Sequence, residues 1–319
     1  MKIGIFAPWH LREDNFGDKM IGHHIQRALS DHEIFLVSTG TIPQPHEIDQ
    51  LNVCDLVLIG GTNLIHSRMD EKQQWVISLD ALRRIQKPIS LMGVGWRQYQ
   101  DEVPNGFSAE LLSGLLPVEA DLMHSVRDNY TKLKLSEIGI NSINTGCPTM
   151  WDLKETYSCP GIASRNNSVI FTVTDYKKSP DLDRSWIEKI RSYGKLYLYP
   201  QGLHDVQYVE SLGISFNLLD RNIDSMDCLE NSLYVGTRLH CGIHCLSKDI
   251  PSVILSVDNR AAEIGADTCL PVVPRDSRAP EKLSAMLADY SVRLNIPNEE
   301  IERWKQAQGI DAKPASIRI

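Results

Sequence analysis

The sequence predicts an α/β protein made of two Rossmann-like, doubly wound halves, and three observations lead there. Short apolar runs of strand length alternate with helical patterns along most of the 319 residues. Several runs, such as DLVLIG (55–60), SVIFTVT (168–174) and PSVILSV (251–257), are too uniformly apolar to have a wet face. Strands of that kind belong to parallel sheets covered on both sides. Finally, the composition changes around residue 160 and the alternation restarts, so residues 1–160 and 161–319 read as two domains of ordinary size.

In the first half KIGIFAP (2–8) reads as a strand, and residues 15–29 place Met20, Ile21, Ile25, Ala28 and Leu29 at helical spacing. EIFLVS (33–38) and residues 55–60 are the next strands, followed by a polar helix around Asp70–Gln86. ISLMGVG (89–95), a helix near Ser108–Leu116, the strand DLMHSVR (121–127) and the helix of DNYTKLKLSEIG complete this half. YSCPGIASRNNS (157–168) reads as a linker. In the second half residues 168–174, KLYLYP (195–200), ISFN (214–217), SLYVGT (232–237) and residues 251–257 are strands with helices between them. After Pro280 come one or two helices, with Leu283, Met286, Leu287 and Tyr290 as their apolar stripe. Two such halves are expected to face each other across a cleft at the carboxyl ends of their strands, where ligands of open α/β sheets bind.

Composition narrows the function. Hydrophobic residues make up 42% and charged residues 23%, the balance of a soluble globular protein, and the net charge of −8 excludes a general nucleic-acid binder. A local basic pocket for a small anion remains compatible with that charge. The seven cysteines (54, 147, 159, 228, 241, 245 and 269) are odd in number and contain no CxxC pair, as expected of reduced thiols in a cytoplasmic protein. The start MKIGIFAPWH lacks a signal-peptide pattern, and no apolar run reaches the roughly 18 residues of a membrane span.

Chemistry concentrates where strands meet helices. In DNFGD (14–18), Gly17 allows a tight turn and Asp18 falls in a first helical turn, as a cap or as a carboxylate for an acceptor hydroxyl. In LIGGTNLIH (58–66), Gly60 and Gly61 would let the backbone approach a ligand with free N–H groups; the absence of GxGxxG leaves a nicotinamide cofactor unsupported. GVGWR (93–97) ends another strand similarly. In HSVRDNYTKLKL (124–135), Asp128 can cap the following helix, which leaves Arg127 either paired with it or free to grip a carboxylate or phosphate. In YPQGLHDVQY (199–208), Gln201, His204 and Asp205 lie between a strand and a helix, where a plain cap by Asp205 is an equal reading.

GTRLHCGIH (236–244) carries the most. Thr237 is a candidate N-cap, which would put Arg238 and His240 in the first helical turn, where open amides attract anions. Residues two apart share no helix face, so they converge only on a ligand lying over the helix tip. A zinc site using His240, His244, Cys241 or Cys245 is disfavoured by the lack of HExxH, CxxC or nearby acidic cluster; these fit a buried helix, with Gly242 allowing close packing.

Together NFGD (15–18), LIGGTNL (58–64), GVG (93–95), SVRD (125–128), TGCPT (145–149) and GTRLH (236–240) resemble the polysaccharide pyruvyl transferase family. The resemblance runs from Asn15 to about Asp258 and leaves out the tail after Pro280. It implies a GT-B-like fold and transfer of pyruvate from phosphoenolpyruvate to a sugar as a ketal, with the donor as co-substrate and no metal or cofactor. It assigns donor binding to Arg127, Arg238, Leu239 and His240. Asn15, Asp18, Gly60, Gly61, Asn63, Gly95, Gln201 and His204 remain as cleft or acceptor candidates, fixed by no motif. His240 and Asp18 are the expected catalytic groups. The acceptor is a saccharide; a lipid-linked one would bring the protein to the inner face of the membrane. A GT-B glycosyltransferase using a nucleotide sugar and a non-catalytic glycan- or phosphate-binding protein are the alternatives.

Overall fold

The structure, a computed structural model, describes residues 1–11, 16–71, 74–115, 123–165, 167–227 and 229–310. Asn15 and Cys228 lie outside the described residues, as do Asp121 and Leu122 at the start of one expected strand. The chain forms two compact units. The first comprises Met1–Arg12, Ile21–Trp151 and Pro297–Ile319, and the second Glu13–Met20 and Asp152–Ile296. Both are discontinuous in sequence, unlike the single break near residue 160.

In the first unit the elements run β1 (Lys2–Ala7), α1 (Phe16–Ala28, its first turn grouped with the second unit), β2 (Glu33–Ser38), α2 (Pro45–Asn52), β3 (Leu56–Gly60) and α3 (Leu79–Arg84). They continue as β4 (Ile89–Met92), α4 (Gly106–Leu115), β5 (His124–Val126), α5 (Asn129–Ser136) and β6 (Ser142–Asn144). Four strands form a parallel sheet in the order β2-β1-β3-β4. A bond from Gly93 N to Ser125 O at 3.0 Å and a bridge between Val94 and Val126 carry that order on to β5 and β6. All five residues of β3 are buried, which explains why LVLIG has no polar alternation.

Two local differences from the expected elements have physical causes. Among its described residues, the polar stretch before β4 is helical only over α3, which the Ser78 hydroxyl starts by accepting from Ala81 N. Upstream, Trp75 and Met69 are fully buried, and side chains instead of a helix satisfy the amides: Gln100 accepts from Ser67 N and Ser108 from Met69 N. α2 was not anticipated. Pro45 at its first position, the Gln44/Glu47 capping box and buried Ile48 and Leu51 form it.

The second unit contains β7 (Thr156–Cys159), β8 (Asn167–Thr172), α6 (Pro180–Arg191), β9 (Gly194–Leu198), α7 (Asp205–Ser211), β10 (Asn217–Leu218) and β11 (Ser232–Gly236). It goes on through α8 (Leu239–Ser247), β12 (Ser252–Ser256), α9 (Asn259–Thr268), β13 (Val272–Pro274), α10 (Ala279–Ala288) and β14 (Tyr290–Arg293). Its six-stranded parallel sheet has the order β10-β9-β8-β11-β12-β13, so the direction of winding reverses between β8 and β11. That reversal is the topological switch point, where the crevice at the strand ends is open to a ligand.

The expected linker is partly a strand: β7 pairs antiparallel with β14, with Tyr290 opposite Cys159. Tyr290 therefore leaves the helical stripe that Leu283 and Leu287 of α10 do form. Its hydroxyl accepts from Ser252 N at 2.9 Å and donates to Ser252 O at 3.0 Å, and satisfying a buried phenol this way outweighs helix periodicity. The last helix among the described residues, α11 (Asn298–Ala307), belongs to the first unit, where Trp304 is fully buried and packs 5.6 Å from Trp151. No helix among the described residues is long and apolar enough to cross a membrane.

Candidate active site

At the switch point of the second unit the chain leaves β11 through Gly236 and Thr237, and Arg238 becomes the N-cap of α8. Thr237, expected as the cap, instead shares a hydrogen bond with the Thr174 hydroxyl at 2.8 Å, which ties the ends of β8 and β11 together. Arg238 does not cap with its side chain either. The guanidinium folds back over the end of β8, where Nε donates to the Val173 carbonyl at 2.7 Å. Nη2 donates to Asp175 at 3.0 Å and to Asp205 at 2.8 Å. Nη1 has no hydrogen bond among the described residues. The ring of Tyr176 lies 5.4 Å from this guanidinium and 5.8 Å from that of Arg260.

Three helix starts line one cavity here: Gly17 and Asp18 from α1, Thr237 to His240 from α8, and Asp258, Arg260 and Ala261 from α9, together with Tyr176, Gln201 and Val257. The tip of α9 already holds a carboxylate, since Asp258 accepts from Arg260 N at 3.1 Å. The tip of α8 has no side-chain cap, and the Arg238 amide there donates to the Thr172 hydroxyl at 3.2 Å. Burial pushes the Asp258 carboxyl up, but hydrogen bonds and charge from Arg260 outweigh it and hold its pKa below the usual range. For Arg260, burial favours the neutral form, while Tyr176 and Asp258 prevail and raise its pKa. Asp205 goes the other way: burial raises its pKa despite Arg238 beside it.

Arg127 occupies a second constellation, at the end of β5 in the first unit. It is fully buried; Nε donates to Asp128 at 3.3 Å and Nη2 to Asn63, while Nη1 has no hydrogen-bond partner. Of the two readings open for Arg127, pairing with Asp128 is the one observed, and Asp128 does two things at once. It pairs with Arg127 and caps α5 by accepting from Thr131 N at 2.7 Å. The Thr131 hydroxyl in turn accepts from Trp96 N at 2.8 Å. Gly95 lies against the guanidinium so closely that a Cβ there would stand 2.2 Å from Nε. Gly93, with φ of +63°, faces Pro148, whose Cδ would be 2.2 Å from an added Cβ. The GVG segment thus makes room for SVRD on one side and TGCPT on the other.

The model of the polysaccharide pyruvyl transferase family matches residues 15–259. The chain belongs to the polysaccharide pyruvyl transferase family. No curated protein matches it. Among solved structures, the S. aureus MnaA–UDP co-structure is similar with a TM-score of 0.55 at 12% identity, covering 99% of each chain. The UDP-GlcNAc 2-epimerase of Methanocaldococcus jannaschii also gives 0.55 at 12% identity, covering 98% of this chain and 100% of its own. These likenesses show the GT-B-type fold of this pyruvyl transferase family member.

The structure brings Asp18, Gln201, Arg238, Leu239 and His240 to one cavity and leaves His204 exposed outside its lining. Gly60 and Gly61 turn out to be packing positions. The Gly61 N–H, expected to be free, donates to Met92 O at 2.9 Å. Added Cβ atoms would lie 2.9 Å from Trp9 at Gly60 and 2.5 Å from Ile21 at Gly61. Asn63 and Gly95 position Arg127. His244, Cys241 and Cys245 are buried in α8, where both thiols contact Met226 Sδ, at 3.6 and 3.7 Å. Gly242 packs on Ile254 and Tyr234 as expected. No cluster of three or more His, Cys, Asp or Glu suited to a metal exists among the described residues. Sequence reasoning missed Asp175, Tyr176, Asp258 and Arg260. The run VDNRAAEIG after an apolar strand was a usable signal, since an Asp beginning a helix with Arg two residues on repeats the strand-to-helix pattern of GTRLH.

Proposed function

We propose that the protein is a phosphoenolpyruvate-dependent ketal pyruvyltransferase acting on a sugar of a polysaccharide or of its lipid-linked precursor. One observation carries the reading. In both family motifs the arginine is held by a carboxylate of its own unit through Nε or Nη2 and keeps Nη1 without a hydrogen bond among the described residues. A preset guanidinium with one open nitrogen loses little entropy on taking a carboxylate or phosphate oxygen.

Transfer begins with a proton added to the methylene carbon of the donor, which makes C2 electrophilic. One sugar hydroxyl attacks C2 and gives up its proton; phosphate leaves, and a second hydroxyl closes the cyclic ketal. Of the two hydroxyl protons, one balances that added to carbon and the other departs with phosphate. Arg127 and Arg238 bind the donor. Arg260 stabilises charge on the departing phosphate. His240, in the first turn of α8, handles a proton, and Asp18 serves an acceptor hydroxyl. The chemistry calls for no metal or redox cofactor. With a lipid-linked acceptor, the work is done at the inner face of the membrane.

The test is incubation with phosphoenolpyruvate and a panel of glycans, reading phosphate release and the mass gained by the acceptor. Arg238→Ala is expected to lower kcat/KM by roughly 100-fold or more. Undiminished transfer by Arg238→Ala, or thermal protection by nucleotide sugars with none by phosphoenolpyruvate, would overturn the reading.

A further inference from the structure

We infer that Asp205 is a positioning residue for the donor: it holds Arg238 in the one orientation that leaves Nη1 open. This rests on the function proposed above. Asp205 is fully buried and does not line the cavity, so it meets no ligand itself. Its own direction is set by the backbone, because Oδ2 accepts from Gln201 N at 3.0 Å and Gly202 N at 2.8 Å. Thus anchored, the carboxylate accepts from Arg238 Nη2 through Oδ1 at 2.8 Å and Oδ2 at 3.1 Å. The Val173 carbonyl takes the Nε hydrogen.

The Nε and Nη2 edge of the guanidinium is therefore committed to protein, and a planar group fixed along one edge cannot turn. Gly202 is the space that permits this convergence. A Cβ there would lie 2.8 Å from Arg238 Nη2, 2.9 Å from Asp175 Oδ2 and 3.0 Å from Asp205 Oδ1. Three charged groups meet around the missing side chain, at a position whose backbone any residue can adopt.

Electrostatics and positioning make opposite predictions. Were Asp205 merely a nearby negative charge, Asp205→Asn would relieve repulsion and tighten binding of an anionic donor. As a positioning residue, its loss frees Arg238 to turn, and donor binding weakens. Gly202→Ala separates the effects further, since it changes no charge and only pushes the guanidinium off its carboxylates.

Four proteins, wild type, Arg238→Ala, Asp205→Asn and Gly202→Ala, are compared by calorimetric titration with phosphoenolpyruvate and by steady-state transfer, with circular dichroism as a check on folding. We expect both Asp205→Asn and Gly202→Ala to raise the donor KM and Kd about ten- to a hundred-fold, with a smaller change in kcat. If Asp205→Asn does not fold, Gly202→Ala decides. Wild-type or tighter donor binding by the folded variants, alongside its loss in Arg238→Ala, overturns the positioning role alone. Failure of wild type to bind phosphoenolpyruvate overturns the proposed function, and this inference with it.

Discussion

Gly95→Ala adds one methyl group beside the buried guanidinium of Arg127, and the structure allows its effect to be sized. The new Cβ would lie 2.2 Å from Nε, 2.4 Å from Cζ and 2.6 Å from Nη2. Ordinary contact begins near 3.4 Å, so the guanidinium has to retreat by about 1.2 Å. Backbone conformation is no obstacle, since Gly95 is not among the residues with positive φ. The side chain is fully buried and bonded to Asn63 and Asp128, so retreat breaks charge-assisted hydrogen bonds worth about 1.5–3 kcal/mol each. Partial relaxation recovers some of this, and overpacking of a tight site costs about 1–3 kcal/mol. We expect a destabilisation of roughly 2–4 kcal/mol, within that combined range. Under the donor-binding role proposed for Arg127, a displacement of this size is expected to lower kcat/KM for pyruvyl transfer by about 100-fold. Denaturant unfolding and steady-state transfer measure the two effects. A Gly95→Ala protein with wild-type stability and activity would refute the argument that this glycine exists to seat Arg127.

Two further perturbations test the fold. Asp183 is fully buried in α6 and accepts from Trp186 Nε1 at 3.0 Å, Tyr208 Oη at 2.5 Å and Arg275 Nη1 at 3.1 Å, so Asp183→Ala leaves a largely buried cation without its carboxylate and is expected to cost about 3 kcal/mol in denaturant unfolding. An Asp183→Ala protein unfolding within 1 kcal/mol of wild type (about the ordinary cost of one mutation) would contradict that network. His124 on β5 is buried, and desolvation lowers its pKa from 6.5 to about 4. A base depressed in the folded state contributes stability that is complete above pH 6.5 and lost as pH falls toward and through about 4, because only the unfolded chain takes the proton in that window. The loss amounts to roughly 3 kcal/mol at its limit, and His124→Phe is expected to flatten stability between those pH values; an unchanged slope would show that His124 is not its source.

Much of the scaffold was legible because the signals were local. Apolar runs located β1, β3, β8, β11 and β12 to within a residue or two, since a strand buried on both faces must be continuously apolar. Asp128 as a cap and Asp18 in a first turn were also legible, because caps act over three residues. The short or isolated pieces were not. β7 looks like a linker until β14, more than 130 positions later, supplies its hydrogen bonds. Tyr290 fits a helical stripe until Ser252 offers a partner for its hydroxyl.

For the site the same division holds. By itself the sequence determined which arginines, glycines and histidine stand at the junctions of strand and helix, because those junctions follow from local periodicity and turn chemistry. Only the tertiary structure decided what each side chain meets: Arg238 turns to Asp175 and Asp205, 63 and 33 residues away, and Arg127 to Asn63, 64 away. A long side chain takes its direction from the best partner within reach, and reach is a property of folded space, which sequence separation does not measure.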